Sequence, residues 1–364
     1  MNRKKIFSLI ISMLVIVPMM FALSACKHEH KFSKDWTRSE TEHWHICTVK
    51  GCKETSPKEA HTFENNVCSE CGGVKAGMQA KIGTGTTAKA YATISEAIEA
   101  AENDSTIYIV NDIELTKSIL IDKDLTFDFG GHKISSPEGV FDVANTRAES
   151  KLILKNGTIN TDKWGVWLQN RAYLKVENTF TINANVNSTH TDKNAVTVTK
   201  GARADIYGKL NVKGETFALS GNGSVGDGNV IINIYNGAEI TSELGSAIYM
   251  PNSAQLNILG GKIVGKTAVY IKSATTNING GEFISTSTEY TEYQYYGNGA
   301  NNTGDAIVID ACGYNGGNPI VNITNATITL NSDKTHAIAY YTYNGNTATI
   351  NNTTSYEVFE PAKV

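Results

Sequence analysis

Ile234-Tyr235-Asn236-Gly237-Ala238-Glu239-Ile240 and Leu256-Asn257-Ile258-Leu259-Gly260-Gly261-Lys262-Ile263 carry one pattern, apolar residues on either side of a tight turn of Asn and Gly. Leu152 to Ile159, Leu174 to Ile182, Ala204 to Leu210, Thr276 to Phe283, Val321 to Ile328 and Ala348 to Asn352 repeat it. The spacing is mostly about 20 to 30 residues, a period that means stacked coils. Between the copies runs a second element, a small residue followed by an alternating apolar strand: Gly165-Val166-Trp167-Leu168, Ala195 to Val198, Ala247 to Met250, Ala268 to Ile271, Ala306 to Ile309 and Ala337 to Tyr340. Each coil therefore holds two or three short strands, with one face pointing into a shared interior and the other outward. No single coil can bury its apolar face, so stacking makes the core.

The formal net charge of -4 argues against a general nucleic-acid binder and favours neutral partners. Abundant Gly and Asn with scarce Pro suit many tight turns between intact strand ladders. Met1-Asn2-Arg3-Lys4-Lys5 is a basic start, and Ile6 to Ala22 is an apolar stretch too short for a comfortable membrane span, the layout of an export signal. Leu23-Ser24-Ala25-Cys26 resembles the lipobox of bacterial lipoproteins. The resemblance implies that residues 1–25 are removed, that Cys26 is lipidated, and that the chain sits on the cell surface, held to the membrane through that anchor alone.

Residues 26–75 differ in composition, with Cys47-x4-Cys52 and Cys68-x2-Cys71 followed by Gly72-Gly73, and with His28, His30, His43, His45 and His61. Paired cysteines on short loops can aim thiolates at one tetrahedral ion. The expectation is a structural zinc held by Cys47, Cys52, Cys68 and Cys71, or by a set in which His45 or His61 replaces one Cys. A pair of disulfides is the alternative that an exported chain permits, although it leaves the histidines unexplained. His30-Lys31-Phe32 and His61-Thr62-Phe63 give the segment the look of two degenerate halves. It resembles the small zinc-ribbon-like modules that precede the main domain in some bacterial surface proteins. No organic cofactor is expected.

Residues 76–87 read as a linker. Tyr91 to Ala101 then forms an amphipathic helix with Ile94, Ala97, Ile98 and Ala101 on one face and a cap at Thr93, a candidate cover for the first coil. The Tyr91-x-Thr93-Ile94-x-x-Ala97-Ile98 helix, the strands after it and the Asn/Gly turns together resemble the pectate lyase and pectin lyase superfamily over residues 88–364. That resemblance implies an all-β, single-stranded, right-handed parallel β-helix with an N-terminal capping helix. Asn156, Asn178, Asn236, Asn325 and Asn352, with Gly208, Gly260 and Gly280 in equivalent places, are similar to that fold's asparagine ladder. The fold alone implies no reaction.

For a polysaccharide lyase or glycoside hydrolase, the nearest pair of acids is Asp305 and Asp310, bracketing one strand. A carbohydrate-binding face has more residues behind it. Trp167, Tyr249 and Tyr270 are equivalent, outward-facing positions of one strand column, and sugar rings stack on such aromatic platforms. The insertion Ser285 to Gly304 adds Tyr290, Tyr293, Tyr295 and Tyr296, which could arch over that column to complete a groove with the two acids. The expectation is non-catalytic binding of a polysaccharide or other glycan. The alternatives are an enzyme acting in the same groove, or an adhesive spacer that binds a host or envelope surface protein.

Overall fold

The computed structural model describes residues 28–143, 149–187, 194–221 and 230–361, except for 296, 298 and 315. The export signal, Cys26, Tyr296 and most of a glycine-rich excursion, Ser220 to Asn229, that reads as a rim lie outside the described residues. The chain divides into two units, residues 1–76 and 77–364.

The first unit is built from very short strands. Thr37–Arg38, Glu42–Trp44 and Glu59–Ala60 form an antiparallel sheet, and Phe63–Glu64 pairs with Val67–Cys68. Asn65 and Asn66 turn that hairpin with φ of 50° and 62°, a left-handed pair that Asn tolerates and a two-residue hairpin requires. Among its described residues, the buried hydrophobic side chains are Cys47, Val67 and Cys68.

The second unit is a solenoid of parallel strands. One ten-stranded sheet runs through Ile119–Ile121, Phe141–Val143, Val166–Leu168, Val196–Val198, Leu219–Ser220, Ser246–Met250, Thr267–Ile271, Ile307–Ala311, Ile338–Thr342 and Val358–Phe359. A nineteen-stranded sheet holds two further columns, joined at the Asn/Gly turns. Apolar positions stack in register across coils: Leu152, Leu174, Ala204, Ile232 and Leu256 on one column, and Ile159, Ile182, Leu210, Ile240, Ile263 and Phe283 on the other. All are fully buried in one continuous core. The recurring motif is thus the corner between two strand columns.

Helix α1, Ile94–Ala100, starts at the expected Thr93, whose side chain accepts from the Glu96 amide while Glu96 reaches back to the Thr93 N–H. Ile94, Ala97 and Ala101 join the solenoid core, and Ile98 packs against it half-buried. The expected linker 76–87 is corrected. Ala80–Ile82 is a strand, antiparallel to both Lys89–Tyr91 and Ser105–Ile109, and Ala80 is fully buried. Its glycines mark turns on either side of a covering strand rather than a flexible tether.

The hydrogen-bonded asparagine ladder lies on the strands upstream of the turns, with Asn233 three residues before Asn236 and Asn257 three before Gly260, instead of at the expected turn residues. Asn351 donates to Asn322, Asn322 to Asn277, Asn277 to Asn257, Asn257 to Asn233 and Asn233 to Asp205, each through Nδ2 at 2.7–2.9 Å. At the turns, Asn156 bonds Asp128 and Asn352 bonds the Tyr356 carbonyl, while the Asn236 side chain fills the space above Gly260.

Candidate metal centres and the tyrosine-lined sheet face

The four cysteines do not converge on one point. Cys47 and Cys52 stand with His28 and His30, whereas Cys68 and Cys71 stand with His43 and His61. Within each set the ligand atoms all lie within 4.8 Å of one another, so each set could hold a metal ion. In the first, Cys52 Sγ is 3.4 Å from His30 Nδ1 and Cys47 Sγ is 3.9 Å from His28 Nε2. In the second, Cys71 Sγ is 3.5 Å from His61 Nδ1, Cys68 Sγ is 3.8 Å from His43 Nδ1, and the two Nδ1 atoms are 3.1 Å apart. The expected four-cysteine site is therefore replaced by two mixed sets, because each Cys pair sits on its own loop beside its own histidines. His61 belongs to the second set. His45 belongs to neither: its ring stacks on Trp36 at 3.8 Å, and Nδ1 faces the Asp35 carbonyl. All four cysteines are free thiols.

The surroundings favour the thiolate at Cys47 and Cys68. Burial pushes the Cys47 thiol up, but hydrogen bonding to the Val49 backbone, His30 and His28 outweighs this and brings it to about 6. Burial is likewise outweighed at Cys68 by the Cys71 and Glu70 backbone and by His61, again to about 6. Burial raises Cys71, and the neighbouring Cys68 adds to it. The Gly73 amide donates to Cys71 Sγ at 3.4 Å, and a Cβ on Gly73 would sit 3.2 Å from that sulfur, so a residue without one suits the close approach. His43 is buried, with no protein partner for Nε2.

On the solenoid, register confirms that Trp167, Tyr249 and Tyr270 share one outward row. It runs Leu120, Asp142, Trp167, Thr197, Ser220, Tyr249, Tyr270, Val308, Ala339, Phe359. Trp167 is 37% exposed and Leu120 43%. Tyr249 and Tyr270, expected on the surface, are 1% and 0% exposed. The insertion does arch over them, but it seals the row instead of flanking a groove. Tyr249, Tyr270, Val308, Ala339 and Tyr341 form a second buried cluster, with Phe217, Tyr293 and Ala300 packed on it. Tyr293 stacks on Tyr341 at 4.5 Å, Tyr295 on Tyr343 at 3.9 Å, and Tyr290 meets His336 edge-on. The Gly299 amide donates to Tyr249 Oη at 3.1 Å, and Ser246 Oγ donates to Asn302 Oδ1 at 2.6 Å.

Asp305 and Asp310 are both fully buried under this cover. Asp305 accepts from Thr303, Tyr341, the His336 amide and His336 Nδ1 at 2.6–2.8 Å. Asp310 accepts from Tyr270 and Tyr293 hydroxyls, both at 2.7 Å, with Lys272 Nζ 4.0 Å away. Neither carboxylate faces an open surface, so the expected groove with two acids is not formed. Lys272, wholly buried beside Asp310, has no counterpart in the sequence reading; its place two residues after Tyr270 on an alternating strand marks it as an outward-facing neighbour of that row. Comparison with protein-family models, with curated proteins and with solved structures finds no match.

Proposed function

We propose that the chain is an exported bacterial lipoprotein, anchored through Cys26, whose small module is stabilised by zinc and whose solenoid binds carbohydrate without catalysis. In this reading the solenoid is a right-handed β-helix and α1 caps its first coil. Zinc fits both mixed sets. Tetrahedral Zn–S and Zn–N bonds of about 2.3 and 2.0–2.1 Å give ligand–ligand edges of roughly 3.3–3.8 Å, close to the separations around His30 and His61. A set of four protein ligands leaves no open position, which makes the role structural.

The observation that carries the carbohydrate reading is the uncovered start of the outward row. Trp167 stands exposed between Asp142 and Thr197, with the Trp164 ring 6.1 Å away. Beside it, Gln169 donates to Asp142 at 3.0 Å and accepts from Lys200 at 3.1 Å. An indole face next to an amide, a carboxylate and an ammonium combines stacking for the C–H face of a sugar with polar groups for its hydroxyls.

A glycan array probed with the full chain tests this, with product release followed for each bound glycan. Trp167→Ala should weaken binding roughly thirtyfold, the equivalent of about 2 kcal/mol for a central aromatic contact. Tyr249→Phe, which changes only a covered hydroxyl, should bind as the parent does. Binding indifferent to Trp167, release of cleaved glycan, or silence across the array would each overturn the reading.

A further inference from the structure

Ile271 and Ile309 are paired partners on adjacent parallel strands, so the next residues, Lys272 and Asp310, face each other across two successive coils. Both side chains are 0% exposed, with Nζ 4.0 Å from Oδ2. The enclosure is aromatic. The ammonium lies 5.2 Å from the Tyr314 ring centroid and 6.0 Å from that of Tyr270, and Cys312 is buried alongside. Removing two charges from water is costly, and an ion pair at 4.0 Å recovers only part of that cost. The cost is avoided if the pair becomes uncharged. Burial lowers the Lys272 ammonium and raises the Asp310 carboxyl, moving both toward an amine and a carboxylic acid.

We propose that Lys272 and Asp310 condense to an intramolecular amide, a covalent staple joining two neighbouring coils beneath the tyrosine-rich insertion. The Nζ lone pair attacks Asp310 Cγ. The Nζ–Cγ bond forms, one Cγ–O bond breaks, and the departing hydroxyl takes a proton from the former amine and leaves as water. Nothing is oxidised or reduced, and no external reagent is needed. Tyr270 and Tyr293 donate to the two carboxyl oxygens, which polarises the carbon and stabilises negative charge on oxygen in the tetrahedral intermediate. The fold supplies proximity, since the two groups are held on a packed sheet face that excludes water. Water exclusion also favours the amide over its hydrolysis.

Peptide mapping and intact mass of the full chain test the proposal. The expected result is a chain lighter by one water, a branched peptide linking the Lys272 fragment to the Asp310 fragment, and no tryptic cut after Lys272. Lys272→Met and Asp310→Ala should each restore the unmodified mass and give linear peptides. Tyr293→Phe should leave a larger uncoupled fraction at early times after synthesis. A parent chain at its full calculated mass, with Lys272 cleavable, would overturn the proposal. So would loss of water without the branched peptide, since a succinimide elsewhere gives the same mass.

Discussion

Removing metal from the first unit should unfold it while the solenoid keeps its transition. Its described residues bury one aliphatic side chain, Val67, beside Cys47 and Cys68. Full burial of a valine contributes about 1.5–3 kcal/mol, whereas a structural zinc contributes about 10–16 kcal/mol at neutral pH. On the proposed zinc reading, metal outweighs the unit's own apolar core. The two sets also interlock. His43 lies in sequence between His30 and Cys47, so a ligand of the second set sits inside the chain segment closed by the first. His43→Ala should lower second-set affinity by more than the roughly 10–100-fold typical of losing an outer-shell partner, and should weaken the first set too. His45→Ala should retain both metals. The assay is zinc content by mass spectrometry, with hydrogen exchange and limited proteolysis before and after chelation under reducing conditions. The expected stoichiometry is two per chain. One zinc per chain, equal losses from His43→Ala and His45→Ala, or exchange protection that survives chelation would refute the reasoning.

Asn277→Ala should break the ladder in its middle. Asn277 donates to Asn257 and accepts from Asn322, and two half-buried bonds at about 0.5–1.5 kcal/mol each put the loss near 1–3 kcal/mol in urea unfolding; a change of only a few tenths would show that the ladder is ornamental. Gly260→Ala would place a Cβ 1.8 Å from Asn236 Oδ1 and should cost about 1–3 kcal/mol of overpacking. Adding Asn236→Ala should recover part of that cost, and a strictly additive double variant would count against the stacking of these two turns.

The strand columns were legible because period-two alternation and the Asn/Gly corners recur with every coil. The ladder is less legible, because the turn asparagines are the more conspicuous recurrence and the ladder follows a quieter one just upstream, Ile232-Asn233-Ile234, Leu256-Asn257-Ile258, Thr276-Asn277-Ile278 and Val321-Asn322-Ile323. An Asn held on a strand stacks in register on the coil below, whereas a turn Asn can satisfy its amide locally, as Asn352 does with the Tyr356 carbonyl. At the cysteines the information was present in the two half-repeats, each pairing a His-x-Phe with its own Cys pair. The first half supplies a full set of two His and two Cys, and the second supplies His61, Cys68 and Cys71 and lacks one ligand. The crossing of His43 into the second set is a tertiary pairing that spacing does not encode.

Alternation says which way a side chain points and nothing about what lies on it. Tyr249 and Tyr270 do point outward, yet the insertion covers them and bonds to Tyr249, Asp310 and Ser246, which makes it a lid over the row instead of one wall of a groove. To use those tyrosines as a sugar platform, a ligand would have to release at least the Tyr293–Asp310, Gly299–Tyr249 and Ser246–Asn302 bonds. At about 0.5–1.5 kcal/mol each, that costs roughly 1.5–4.5 kcal/mol and lowers apparent affinity by about ten- to two-thousandfold. Trp167 is already exposed and needs no such opening. A weak, non-catalytic contact with a neutral glycan should therefore form first at Trp167, and its loss in Trp167→Ala alone separates that site from the sealed half of the same row.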